Sequence, residues 1–485
     1  MLVIGILSQL VVISLSPDRW NSVLLSRIGM ISLIYSCILT YNTYYPEQLI
    51  SGLGIYSGFY NVTNITHVMD IFVCILGMLI LGITGFYSMK KTEIQNVNTK
   101  DNYLTIIETQ SLEYPSIGSF VIVGIQLLIG SLHMISLYLG IELQSFSLYI
   151  LSSLNAKTCK FGLKYFLLGA LSSCFILLGI GLLYCNTGIL SFDTFYIFYN
   201  NISDLSLQFS VDLALIILIA GLLFKLAVFP FQQWAVEIYD GVPTLITTWL
   251  TTLTKISILV VLMDIVTHCY GSWTSILILL SLLSILFGSL LGLAQLRLKR
   301  LLVYSMLSHV GFLVLSIAIN SNMSLEAFIF YIIQYSITNL NLFFIILSMG
   351  YYFVGCCESP VVFIKSLKGF FNVNPFLAIC FAISLLSMGG IPPLIGFFAK
   401  FNILHAAISK GYLFVTFIAI ISSVISISYY LKVIKTIFFD VSELSFNDVK
   451  LSAYLITVIA MLTIFITLFI IYPNPLYSLA KLIIN

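Results

Sequence analysis

Charge is what this sequence lacks. Asp, Glu, Lys and Arg make up 8% of its 485 residues, against about 25% in an ordinary soluble domain. With 60% of the chain hydrophobic, most of its surface cannot face water. Lipid is then the solvent, and an all-α polytopic membrane protein is the class that fits. A β-barrel is excluded because its strands alternate over about ten residues, whereas these apolar runs continue for about twenty. Cysteine chemistry is missing too. The nine cysteines are scattered, with no C-x-x-C pair and no disulfide framework, and the adjacent Cys356 and Cys357 read as packing residues. The five histidines (His67, His133, His268, His309 and His405) never fall at metal-ligand spacing, so no metal or haem site is signalled. A net charge of +2 points to neither nucleic acid nor an acidic substrate. The opening MLVIGILSQLVVISLSPDRW has no basic n-region and no small-residue cleavage site, so it reads as a retained first span rather than a signal peptide.

What is present is a series of about 14 transmembrane windows, near 1–16, 23–42, 67–89, 116–136, 137–154, 162–185, 211–230, 243–268, 273–294, 302–320, 326–350, 375–405, 412–434 and 451–472. Proline marks many expected ends: Pro17, Pro46, Pro115, Pro243, Pro375 and Pro473. Alternating the loops across the membrane tests the count. Sixteen of the 21 Lys and Arg residues, among them Arg297, Lys299 and Arg300, fall on one face. Only Lys410 and Lys481 fall on the other, with both termini. The three left over, Lys225, Lys255 and Lys400, lie inside spans.

A charge near the bilayer centre costs about 2.5–3.5 kcal/mol on insertion scales. A buried lysine escapes that cost by pairing with a carboxylate, by reaching water, or by giving up its proton. Lys225 and Lys255 stand on consecutive antiparallel spans, both roughly 20 Å deep at about 1.5 Å per residue. Glu142, in YLGIELQSFSLYIL, is the acidic residue of the fifth span. The bland reading is a structural Glu–Lys staple; one carboxylate with three lysines points instead to a proton or ion path. Two spans are also broken: Pro230 follows Lys225, and Pro392 and Pro393 precede Lys400 in MGGIPPLIGFFAK. Breaks at membrane depth are tolerated where the backbone is buried in protein or lines water. Matching breaks in two halves imply inverted repeats, here spans 4–8 and 9–13 of five helices each. The lysine precedes the break in one copy and follows it in the other. His309, in KRLLVYSMLSHVGF, is either a point of proton uptake from the basic face or a packing histidine. Glu237 and Asp240 read as interfacial or capping charges in the loop after Pro230, and Asp264 as one at the end of the eighth span.

The stretches YLGIELQSFSLYIL, LKYFLLGALSSCFILLGIGLLY, GLLFKLAVFPFQQWAVEIYDGVPTLITTWLTTLTKIS, RLKRLLVYSMLSHVGF and SMGGIPPLIGFFAKF resemble the antiporter-like membrane subunits of respiratory complex I, in order and at matching spacing over roughly 115–435. Glu142 before Leu-Gln-Ser and a lysine at 400 narrow the resemblance to one member type, and the aromatic, Ile-rich composition is similar to mitochondrially encoded versions. The windows divide the chain into a three-span segment and loop over 1–114, which with the tail beyond 440 carries little of the resemblance, antiporter-like repeats over 115–270 and 271–440, and a C-terminal span over 441–485. The resemblance implies a proton-translocating subunit of NADH:ubiquinone reductase with no redox site of its own. NADH, FMN, iron–sulfur clusters and ubiquinone would be bound by other subunits. Glu142 would set the charge of Lys225, Lys225 and Lys255 would pass a proton along the midplane, and Lys400 would lead to the exit, driven by quinone reduction elsewhere. Partners would be other membrane and accessory subunits, neighbouring antiporter-like subunits, and lipids, with no nucleic acid. The basic loops would face the mitochondrial matrix and both termini the intermembrane space. The rivals are a stand-alone cation/proton antiporter of the same fold, a scaffold, and a plasma-membrane transporter with sequons at Asn61, Asn64, Asn201 and Asn322.

Overall fold

A computed structural model describes residues 1–15, 22–45, 49, 52–84, 102–154, 158–271, 273–352, 362–441 and 451–484. Cys356, Cys357, Pro17, Pro46, Arg19, Lys90, Lys91, Lys100, Lys157 and Lys450 lie outside the described residues. Among the described residues, ten helices are long and apolar enough to cross a membrane, and five shorter apolar helices accompany them. The chain forms two compact units, one of residues 1–173 and 190–194, the other of 174–189 and 195–485.

In the first unit, α1 (Leu2–Leu15), α2 (Ser22–Asn42), α3 (Asn64–Thr84), α4 (Asn102–Ile129) and α5 (Met134–Ser153) pack in sequence, with a two-stranded hairpin, β1 (Leu53–Ile55) and β2 (Tyr60–Val62), between α2 and α3. Without a hydrophobic driving force between helices in lipid, small residues and polar bridges hold such a bundle. Gln9 is one such bridge. It is fully buried, donates from Nε2 to Leu25 O at 3.3 Å, and accepts from Ser119 Oγ at 3.2 Å. The hairpin is pinned by Asn61 N to Gly130 O at 2.8 Å.

α6 (Cys159–Thr187) leads into the second unit, which continues through α7 (Phe192–Asn200), α8 (Leu205–Leu226), α9 (Gln233–Gly241), α10 (Thr244–Thr251), α11 (Leu253–His268), α12 (Thr274–Leu293), α13 (Leu298–Ile319), α14 (Asn322–Gly350), α15 (Pro375–Gly389), α16 (Ile395–Ser409), α17 (Leu413–Phe438), α18 (Ala453–Leu468) and α19 (Asn474–Ile484). α13 and α14 are enclosed over nearly their whole length. Apolar composition all round a helix demands that enclosure or lipid; these two take the first.

Several boundaries differ from the sequence reading. Pro115 does not end a helix but lies within α4. The fourth span starts upstream in a polar stretch that a hydropathy window passes over, and the fourth and fifth spans part at Gly130–His133 instead of at residue 136. Glu237 and Asp240 sit on the short helix α9 rather than in a loop. The eighth span is interrupted at Thr252 (φ −106°, ψ −70°). Hydroxyls that bond back one turn offer the helix an alternative partner. Here Thr252 Oγ1 donates to Thr248 O at 2.6 Å and Thr254 Oγ1 to Leu250 O at 2.7 Å. Three sequons also have a local reason. Thr63 and Thr66 bond each other's backbone N–H groups at the start of α3, and Ser324 completes the capping box that starts α14.

Candidate proton-relay site

A helix leaves its last four carbonyls without intrahelical partners, and in a buried setting each must find a donor. At the end of α8 all four do. Ala227 adopts the left-handed conformation (φ +60°), and its N–H and that of Val228 reach Phe224 O and Leu223 O at 3.0 and 3.1 Å. Trp234 Nε1 donates to Phe224 O at 3.0 Å. The remaining two carbonyls, Lys225 O and Leu226 O, accept from Nζ of Lys255, the first at 3.4 Å. Lys255 is 3% exposed, three residues past the Thr252 interruption, with the Trp234 ring 5.9 Å from its ammonium. Lys225 stands in the last turn of the same helix, its Nζ shielded from solvent.

The end of α15 repeats this backbone. Gly390 is left-handed (φ +84°), and its N–H and that of Ile391 reach Ser387 O and Leu386 O at 3.1 and 3.2 Å. Phe231 N to Val228 O in the first break has its counterpart in Leu394 N to Ile391 O in the second. Corresponding residues are separated throughout by 163 positions (224 to 387, 227 to 390, 228 to 391), so Pro230 corresponds to Pro393, beside Pro392. Lys400, 8% exposed, donates from Nζ to Gly389 O at 2.8 Å. Each broken helix therefore presents its carbonyl end, which carries about half a negative charge, to a buried lysine.

Between the breaks runs a file of buried polar groups on α13 and α14. Tyr335 Oη donates to Thr251 O at 3.0 Å, and its ring lies 5.9 Å from that of His309. His309, 2% exposed, bonds through Nδ1 to Tyr331 Oη at 2.6 Å, and its ring is within electrostatic reach of Lys400. Beside Lys255 a cavity of about 20 Å³ is lined by Ala227, Gln232, Tyr239, Leu307 and neighbours, room for one water molecule. Gln232 Oε1 is buried there and accepts no hydrogen bond from a described residue.

Lys299 corrects the charge count, which put it in a basic loop. It is 4% exposed and donates from Nζ to Val242 O, just past the end of α9, at 2.7 Å. Its neighbours Arg297 and Arg300 clamp Asp240 Oδ2 at 2.6 and 2.8 Å. Three basic residues in an RLKR run give no sign of which one turns inward; the inward one becomes legible only once α13 is laid beside α9. Glu142 belongs to the first unit, on α5, with Oε1 shielded from solvent.

Residues 131–426 match the family model described as NADH:quinone oxidoreductase/Mrp antiporter, TM. NADH-ubiquinone oxidoreductase chain 2 of Rhizopus oryzae is 41% identical, over 100% of this chain and 99% of that one. NADH-quinone oxidoreductase subunit N of Paramagnetospirillum magneticum is 34% identical over 78% of each. Among solved structures, a chain of respiratory complex I from Thermus thermophilus shares the fold at a TM-score of 0.78, 24% identity, and coverage of 99% and 98%.

Proposed function

The chain belongs to the NADH:quinone oxidoreductase/Mrp antiporter transmembrane family, and on that premise we propose how it moves protons. It is a proton-pumping membrane subunit of respiratory NADH:ubiquinone oxidoreductase, integral to the mitochondrial inner membrane. Flavin, iron–sulfur clusters and quinone are assigned to other subunits, and quinone reduction there drives the cycle. Fourteen spans are counted by taking α15 and α16 as the two halves of one broken span. Spans 4–8 and 9–13 form inverted repeats, a reading supported by the common register of the two breaks. The basic loops face the matrix and both termini the intermembrane space.

The relay runs from Lys225, whose charge Glu142 sets, to Lys255, through Tyr335, His309 and Tyr331, to Lys400. The observation that carries it is the pair of buried ammonium groups seated on helix carbonyl ends. Burial costs an ammonium about 2.5–3.5 kcal/mol, and a helix C-terminus offsets up to about 2 kcal/mol of that in partly buried geometry. Burial and the carbonyl end thus pull the ammonium in opposite directions, and a reversible carrier needs both. Losing a proton removes the charge that holds the lysine against the carbonyls, so each transfer also loosens one helix end. His309 stands between the two breaks as a link. The test is NADH-driven proton pumping by the assembled enzyme carrying Lys255→Ala, beside its assembly level. Pumping lost at normal assembly supports the relay; unchanged pumping removes it. A stand-alone antiporter is separated from this reading by purification, since it would come away without a NADH-oxidising assembly.

A further inference from the structure

The relay needs a port on the basic face, and the groove between α9 and α13 supplies the residues for one. Its outer end is Lys299, which donates to Val242 O at 2.7 Å and stands beside the partly exposed Arg297 and Arg300 that hold Asp240. Its inner end is the cavity at Lys255. The two ends lie along the same pair of helices. Lys299 is one turn, about 6 Å of helix rise, from Val303, and Val242 is three residues past Tyr239; both Val303 and Tyr239 line the cavity. Gln232 and Lys255 both line that cavity, and Gln232 Oε1 is buried without a hydrogen bond from a described residue. Together they give a water molecule two of the polar partners it needs.

We propose that Lys299 is the proton-uptake residue for the first half of the relay, passing protons along the α9–α13 groove through a water held by Gln232 to Lys255. This rests on the relay reading above, and gives Lys299 the uptake role that the sequence suggested for His309. Each hop breaks one N–H or O–H bond and forms another. Neutral Lys299 takes a proton from solvent, hands one to the groove water, and that water hands one to Lys255, so charge and atoms balance at every step. Arg297 and Arg300 stay charged throughout, since a guanidinium does not release its proton, and Asp240 holds them in place. Lysine alone in this cluster combines burial with a releasable proton.

A merely structural Lys299, capping α9, makes the opposite forecast for a conservative variant. Lys299→Arg keeps a donor for Val242 O and a positive charge but cannot cycle a proton. In the assembled enzyme in proteoliposomes it is expected to lower NADH-driven proton pumping at least fivefold at unchanged assembly. Wild-type pumping in Lys299→Arg overturns the proposal. Gln232→Leu serves where the arginine variant assembles poorly: it removes a buried polar group that the fold does not use, so assembly is kept, and pumping is expected to fall at least threefold. Unchanged pumping there also overturns the port. Lys255→Ala, run alongside, separates the two levels. If Lys255→Ala pumps normally, the relay itself fails; if only Lys299→Arg and Gln232→Leu pump normally, the relay stands and the port is elsewhere.

Discussion

At residues 223–231 and 386–394 the backbone makes the same turn twice, and the side chains around it diverge. In the first break the left-handed residue is Ala227; in the second it is Gly390. The first helix end receives its lysine from a separate helix, Lys255 on α11, whereas the second receives Lys400 from its own continuation, α16. At the position where α16 passes the end of α15, the second break has Gly396, and a Cβ there would sit 1.7 Å from Ser387 O. The position 163 residues earlier is Gln233, which is exposed. The break is thus a backbone device that accepts a lysine from either direction. What is common to both halves is the capped carbonyl end, not the place of the lysine in the sequence.

That comparison breaks most severely at Gly396. Gly396→Ala forces α16 away from α15, at an expected cost of 3 kcal/mol or more given that overpacking typically costs about 1–3 kcal/mol. Enzyme level on native gels should collapse, while Gln233→Ala should leave it within about twofold. Next in size are the lysines. Lys255→Ala strands two buried carbonyls and Lys400→Ala one, at about 1–3 kcal/mol for each, and each variant should reduce pumping at least tenfold. Equal losses would mean that both halves work in series. The left-handed residues come next: Gly390→Ala should cost about 1–2 kcal/mol and lower the unfolding temperature of the purified enzyme, whereas Ala227→Gly should raise it slightly. The smallest effect on stability is expected at Tyr335→Phe, which removes one neutral bond to Thr251 O, about 0.5–1.5 kcal/mol, and should lower the unfolding temperature less than Gly390→Ala does.

Much of this was legible in the sequence because charge in lipid is so rare. Once sidedness was assigned, Lys225, Lys255 and Lys400 stood out as the cations no loop could hold, and Pro230, Pro392 and Pro393 marked the breaks. Less visible was anything decided by which neighbour a side chain meets. Lys299 hid between two arginines at a helix start. The Thr252 interruption carries neither Gly nor Pro and depends on threonine hydroxyls turning back on their own helix. Depth along a span also said nothing of where its helix stops: Lys225 lies in the last turn of α8, where the chain already breaks. The apparent asymmetry between a lysine before one break and after the other disappears when Lys255, not Lys225, is matched with Lys400 by what its ammonium touches.

The central claim is that the two capping lysines give up their protons in turnover rather than merely holding helix ends. Arginine separates these roles, because it caps and stays charged but does not deprotonate. The direct measurement is the number of protons pumped per NADH oxidised by assembled enzyme carrying Lys255→Arg, and separately Lys400→Arg, in sealed vesicles. The relay predicts normal assembly with a reduced proton yield in both; a wild-type yield in both would show that the lysines serve only as caps.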